Sequence, residues 1–232
     1  MKNAKRQRLL HQHEEYFARM KHEISTCDAI AFRLDAPVTP ELYLAALSHG
    51  FFPWNDESEP RTWWSPDPRA VLFLDEFHIS RSLAKFMRNH EFTITYDEDF
   101  SGTVTGCADR DSTWLDAELI RALKRLHQLG VAHSVEAWYD DRLVGGVYGL
   151  SLNGMFIGDS MFFRKTNASK VVLVHLVKHL RECGYLAMDC QILNSHTQAF
   201  GARDISRDDF YKLAKQLRRR HDQEGKGAWL ER

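Results

Sequence analysis

Ser169-Lys-Val-Val-Leu-Val-His-Leu-Val-Lys-His-Leu-Arg-Glu-Cys183, then Gly184, then Tyr185-Leu-Ala-Met-Asp-Cys-Gln-Ile-Leu193, is the stretch that decides the fold. Apolar residues at 171–174, 176, 177 and 180 cover most faces of the first segment, which predicts a buried helix. Gly184 can stop it in a left-handed cap. Tyr185 to Leu193 then returns as a strand. Upstream, Ser134–Tyr139 and Leu143–Leu152 read as strands around the acidic turn Asp140-Asp141. Asn153-Gly154 is a hairpin signal leading into a third strand, 155–162. An antiparallel meander is thus followed by a strand–helix–strand crossover, which joins parallel strands and is expected to be right-handed.

Working outward, Leu115–Leu129 carries apolar residues at helical spacing and closes on Gly130. Phe92–Tyr96 and Ala70–Leu74 read as strands, and His78–Asn89 as a helix with Ser80 or Ser82 near its start. Thr39-Pro40-Glu41 is a helix start, with Thr39 as N-cap and Pro40 at the first position. Phe51-Phe-Pro-Trp54 and Trp63-Trp-Ser-Pro-Asp-Pro-Arg69 read as two aromatic loops, joined by a polar linker over 55–62. Residues 4–24 read as a polar helical extension. The expected architecture is α+β: a small N-terminal domain with a helical extension, 1–67, and a mixed-sheet domain, 68–232.

The chain has 232 residues, 44% hydrophobic and 27% charged, which is ordinary for a water-soluble globular chain with a sizeable core. No apolar run is long enough to span a bilayer, so no membrane association is expected. Residues 1–25 have no apolar segment of the kind a secretory leader needs. Cys27, Cys107, Cys183 and Cys190 show no paired or zinc-type spacing, so reduced thiols in the cytoplasm are expected. The net charge of −1 is unevenly spread. Residues 1–25 hold six Lys/Arg against three Asp/Glu, residues 203–232 nine against six, and 26–202 is left with a net of −7. Basic ends of this kind can hold a polyanion, although solvated helices of mixed charge are the commoner cause of such runs.

Four constellations carry possible chemistry. His175 and His179 have a metal-like i, i+4 spacing without a third ligand, so no metal site is expected. Gly145, Gly146 and Gly149 lie inside a strand and mark a bulge or a close approach, not a phosphate loop. Trp54, Trp63, Trp64 and Trp114 lie in or beside loops, where packing or stacking on a nucleobase both fit. Asp189 and Gln191, two apart on a strand, share one face, while Cys190 points the other way. A structural hydrogen-bond network explains that pair, and so does a site that orients an attacking amine.

These segments also resemble a known family, the bacterial leucyl/phenylalanyl-tRNA–protein transferases. The resemblance rests on Gly50-Phe-Phe-Pro-Trp54, Trp63-Trp-Ser-Pro-Asp-Pro-Arg-Ala-Val71, Thr113-Trp114, Ala132-His-Ser-Val-Glu136, Leu143-Val-Gly-Gly-Val-Tyr-Gly149, Ser160-Met-Phe162, Asn167-Ala-Ser-Lys170 and Asp189-Cys-Gln191, in the family's order. It implies an acetyltransferase-like (GNAT-like) C-terminal domain. It implies transfer of leucine or phenylalanine, less readily methionine, from aminoacyl-tRNA to proteins beginning with arginine or lysine, which marks them for degradation. No metal or nucleotide cofactor is implied. Asp189 and Gln191 become the catalytic pair. Trp54 and Trp114, with Asp159, Ser160 and Asn194, become contacts to the terminal adenosine of the tRNA. Val147, Phe156, Met161, Leu173, Leu176 and Met188 become the apolar amino-acid pocket.

This chain departs from the family pattern around the donor. Asp159 stands for a glutamate, Phe163 for a serine, Leu47 for a tyrosine and Val147 for a methionine. An early family stretch is blurred into Ala29–Asp35. A divergent enzyme that acylates another peptide or small amine is therefore an alternative expectation, and a non-catalytic tRNA-binding or degron-binding module a third.

Overall fold

The computed structural model describes residues 2–26, 31–54, 61–89 and 91–230. Cys27, Ala29, Ile30 and most of the 55–62 linker lie outside the described residues. In chain order the helices are α1 (Lys2–Thr26), α2 (Pro40–Ser48), α3 (Arg81–Met87), α4 (Phe100–Ala108), α5 (Ala117–Gln128), α6 (Ala168–Glu182), α7 (Ser195–Gln198) and α8 (Arg207–Glu224). The strands are β1 (Ala31–Arg33), β2 (Phe52–Pro53), β3 (Thr62–Trp64), β4 (Arg69–Phe73), β5 (Thr93–Tyr96), β6 (Ala132–Tyr139), β7 (Arg142–Leu152), β8 (Met155–Phe163), β9 (Ala187–Gln191) and β10 (Arg203–Ile205).

Seven strands form one mixed sheet in the order β10-β4-β9-β8-β7-β6-β5. Only β8 and β9 pair in parallel, joined through α6 as the crossover predicts. The other pairs are antiparallel, including the β6–β7–β8 meander. The Asn153-Gly154 hairpin has both residues at positive φ, the backbone such a turn demands.

Local chemistry sets the element ends. The side chains of Thr39, Ser80, Asp116 and Ser206 each accept a hydrogen bond from a backbone N–H in the first turn of α2, α3, α5 and α8. The expected helices therefore appear with shorter ends: α3 stops at Met87, and α5 starts at Ala117.

Helices cover both faces of the sheet. On one face α6 buries Val171, Val172, Leu173, Leu176, Val177 and Leu180 against Val135, Val147, Phe156 and Met188. On the other, α2, α4 and α5 pack over Tyr148, Leu150, Ile157 and Phe162. The strand glycines let these helices close in. A Cβ on Gly145 would come within 2.7 Å of the Ala168 Cβ, and one on Gly146 within 2.9 Å of Thr103. Close helix approach and bulging both apply to these glycines: register shifts fall beside Gly145, between its partner Ala137 and Trp138, and at Tyr148/Gly149.

Three expectations are corrected. The aromatic loops are strands: β1, β3 and β2 form a small antiparallel sheet, with Phe52 opposite Trp64 and Phe32 opposite Trp63. Short strands broken by prolines leave no alternation to read. The N-terminal helix is not a free extension, because Phe17 is fully buried against Phe32, Phe51 and Trp63. Two further helices, α4 and α7, went unread, and α8 was read only as a solvated helix that could account for the basic C-terminal end. α4 is short and holds Gly102 and Gly106, α7 is a single short turn, and α8 carries many charges around an apolar side of Phe210, Tyr211, Leu213, Ala214 and Leu217.

Candidate active site

β8 and β9 pair only at Phe156↔Met188 and Ile157↔Asp189. Beyond that point β8 continues through Gly158 and Asp159 while β9 ends at Gln191. Asp159, Asp189 and Gln191 gather at this end of the two strands, and a chain of polar contacts runs through them.

It begins at Arg69, the first residue of β4. Arg69 Nε lies 2.9 Å from Asp189 Oδ1, and Arg69 Nη2 lies 2.6 Å from Asp189 Oδ2. Both side chains are buried. Arg69 Nη1 donates to the Gly50 carbonyl at 3.0 Å, and the guanidinium stacks between the rings of Phe52 and Phe210. A bidentate pair of this kind satisfies the carboxylate that a lone buried aspartate could not.

Asp189 passes this constraint on. Its Oδ1 also accepts the backbone N–H of Gln191 at 2.9 Å. Gln191 has φ of 64°, left-handed backbone that a glutamine adopts rarely. Strained backbone of this sort persists where neighbouring groups over-determine it, and such positions cluster at functional sites.

The Gln191 side chain then crosses to β8. Its Nε2 donates to Asp159 Oδ1 at 3.3 Å. Tyr43 on α2 donates its hydroxyl to Asp159 Oδ2 at 3.2 Å. The buried Tyr148 hydroxyl also faces this carboxylate, outside hydrogen-bond geometry. Burial pushes the Asp159 carboxyl up to about 6; hydrogen bonds from Gln191 and Tyr43 and the nearby Tyr148 hydroxyl oppose the rise, and the Asp189 charge adds to it. The sequence left it open whether the one-methylene-shorter Asp159 reaches anything; it meets two partners.

The remaining candidates separate. Val147, Phe156, Leu173, Leu176 and Met188 are buried together in the core beneath α6, with Met161 partly exposed at its margin. Trp229, near the C-terminus, stacks on Phe156 at 5.8 Å. Ser160 is half-buried on β8, opposite Tyr148 in register. Asn194 is exposed and caps α7, its Oδ1 accepting the Thr197 N–H at 2.9 Å. Trp54 is 45% exposed, Trp114 and Trp64 are half-buried, and Trp63 is fully buried, so Trp63 is removed from the aromatic surface read from the sequence. The departing Phe163 is 64% exposed at the end of β8. His175 and His179 complete no metal site, since no group of three His, Cys, Asp or Glu among the described residues could hold an ion.

A cleft of about 420 Å³ opens beside the chain of contacts, with Asp189 in its wall. Lys21, Lys212, Lys215 and Arg218 line it and give it cationic character.

Sequence reading missed Arg69 and Tyr43 as site residues. One signal for the arginine was present: a buried aspartate demands a counter-charge, and Arg69 stands at the head of an otherwise apolar strand. Tyr43 looked like one more apolar residue of α2.

With this geometry in view, the chain belongs to the leucyl/phenylalanyl-tRNA–protein transferase family. Residues 71–215 match the family described as leucyl/phenylalanyl-tRNA protein transferase, and residues 37–67 match its N-terminal domain. The leucyl/phenylalanyl-tRNA–protein transferase of Stutzerimonas stutzeri is 51% identical over 74% of this chain and 77% of its own. The one from Pseudomonas aeruginosa is 47% identical over 80% of this chain and 83% of its own. A solved conserved protein of unknown function from Staphylococcus epidermidis aligns with 85% of this chain and 77% of its own, at 11% identity and a TM-score of 0.40, too distant to inform the fold further.

Proposed function

We propose that this chain transfers leucine or phenylalanine from aminoacyl-tRNA to the α-amino group of proteins that begin with arginine or lysine, marking them for degradation. Family membership at about half identity over most of the chain carries the reading, and favours it over acylation of another small amine. The donor ester is already activated, so the reaction calls on no cofactor. The amine nitrogen bonds to the ester carbonyl carbon, the carbon–oxygen bond to the terminal ribose breaks, and the amine's proton ends on that ribose oxygen. The 2′-hydroxyl can relay it.

In this reading Gln191 is the residue that meets the amine. Its Nε2 is turned to Asp159, so its Oε1 is left to accept an N–H from the nucleophile. Asp189 has both oxygens occupied, so it acts by holding Gln191 in place instead of taking the proton. Trp54 and Trp114, with Asp159, Ser160 and Asn194, face the terminal adenosine. Val147, Phe156, Met161, Leu173, Leu176 and Met188 receive the amino-acid side chain once Met161 and its neighbours open. The parting of β8 and β9 is the opening we read as acetyltransferase-like, within a 68–232 domain set on a 1–67 domain. We place the protein in the cytoplasm, where its tRNA donor is charged; no described helix is long and apolar enough to cross a membrane.

The test supplies labelled Leu-, Phe- or Met-tRNA with peptides beginning in Arg, Lys or Met. Transfer to the Arg and Lys peptides is expected, with Gln191→Ala lowering kcat on the order of 10²-fold. Binding of the tRNA without transfer to any peptide overturns the reading.

A further inference from the structure

We infer that Tyr43 and Asp159 form a positioning pair that fixes which way round the Gln191 amide stands, so that its oxygen and not its NH2 faces the attacking amine. This deepens the reading above and rests on it for the identity of the nucleophile.

The geometry is a short relay from α2 to β9. Tyr43 Oη donates to Asp159 Oδ2, and Asp159 Oδ1 accepts from Gln191 Nε2. A primary amide has two orientations that differ only in which end donates. A carboxylate can only accept, so an ionised Asp159 selects the orientation with Nε2 towards itself. The opposite end of the amide then presents Oε1. The reversed amide would offer N–H to the lone pair that must attack, and would oppose the reaction.

Two of the chain's departures meet in this relay. Asp159 is shorter than the glutamate expected at its position, and Leu47 replaces an expected tyrosine. Tyr43 lies one helical turn before Leu47, and its hydroxyl reaches the shortened acid.

The relay is also sensitive to protonation. A protonated Asp159 carries an O–H beside a remaining acceptor, so it no longer selects one orientation and the reversed amide becomes accessible. The groups that bear on Asp159 come from four elements: Tyr43 from α2, Cys107 from α4, Tyr148 from β7, and Gln191 and Asp189 from β9. Arg61 acts in turn on Tyr43, and Arg110 on Cys107. Asp189 opposes ionisation of Asp159, while Tyr43, Tyr148 and Gln191 support it. Removing the Tyr43 hydroxyl takes away one support, so it raises the pH at which Asp159 loses its proton.

The test has a readout that needs no substrate. In protein labelled with ¹⁵N-glutamine, the Gln191 side-chain amide signal is followed from pH 5 to 8. It is expected to titrate with a midpoint of about 6. Tyr43→Phe moves the midpoint upward, Asp159→Asn removes the titration, and Asp159→Glu keeps it. In turnover with Phe-tRNA and an Arg peptide, kcat loses activity on the acid side at the same midpoint, and the KM for tRNA changes little in Tyr43→Phe. A pH-independent Gln191 signal in the parent protein overturns the inference, as does a Tyr43→Phe midpoint that stays put or falls. An amide that titrates as expected in a protein without peptide transfer overturns the functional reading and supports the relay.

Discussion

Arg69 and Asp189 are 120 residues apart in sequence, yet they form a bidentate, fully buried ion pair at the edge of the candidate active site. The pair ties β4 to β9 and fixes the carboxylate that holds the Gln191 backbone N–H.

Removing one partner leaves a buried charge without compensation. Arg69→Ala is expected to destabilise the fold by about 3–5 kcal/mol in urea denaturation. Arg69→Met combined with Asp189→Leu should be far less costly in stability while abolishing transfer. A double variant that keeps full activity would show that the ion pair has no part in placing Gln191.

Trp54 and Trp63 should behave oppositely, because one is 45% exposed and the other fully buried. Trp54→Ala is expected to leave the melting temperature nearly unchanged and weaken aminoacyl-tRNA binding by about 1–3 kcal/mol, the worth of one stacked base. Trp63→Ala removes a core side chain and should cost about 3–5 kcal/mol of stability. Thermal melts and filter-binding titrations separate the two. Equal losses in both assays would argue against a stacking role for Trp54.

The N-terminal helix is expected to be part of the folded unit. Phe17→Ala opens a hole among Phe32, Phe51 and Trp63, for about 3–5 kcal/mol. The measurement is the denaturation midpoint of the full chain. A midpoint equal to that of the parent would mean that α1 contributes little to the core.

Glu136 predicts a pH dependence of stability away from the site. It is fully buried on β6 and accepts hydrogen bonds from Ser134 and, at 2.6 Å, from Thr95. Burial nevertheless raises its carboxyl above the usual range, the Ser134 and Thr95 hydrogen bonds opposing the rise and the Asp97 charge adding to it. The folded state therefore holds the proton more tightly than the unfolded chain. Its contribution is present below the ordinary value of 4.5 and is lost as pH rises through the folded value. Glu136→Gln should flatten that part of the stability curve. Urea denaturation at pH 4 and pH 8 tests it, and identical slopes in both proteins would refute the assignment.

Much of this protein was legible in the order of its residues. The meander, the Asn153-Gly154 hairpin and the crossover through α6 follow from periodicity and turn chemistry, which act over a few residues. Asp189 and Gln191 stood out because an acid and an amide at the end of an apolar strand need partners. The motifs from Gly50 to Gln191 carried the family. The partners themselves were decided only by the tertiary structure. Arg69 reaches Asp189, and Tyr43 reaches Asp159, because β4, β8, β9 and α2 are brought side by side by sheet order and core packing, neither of which any local pattern encodes. The same cause put Trp63 inside and left Trp54 outside, though both sit in similar aromatic sequence. Burial is a property of the assembled layers, so the chemistry of a residue could be read in advance while its surroundings could not.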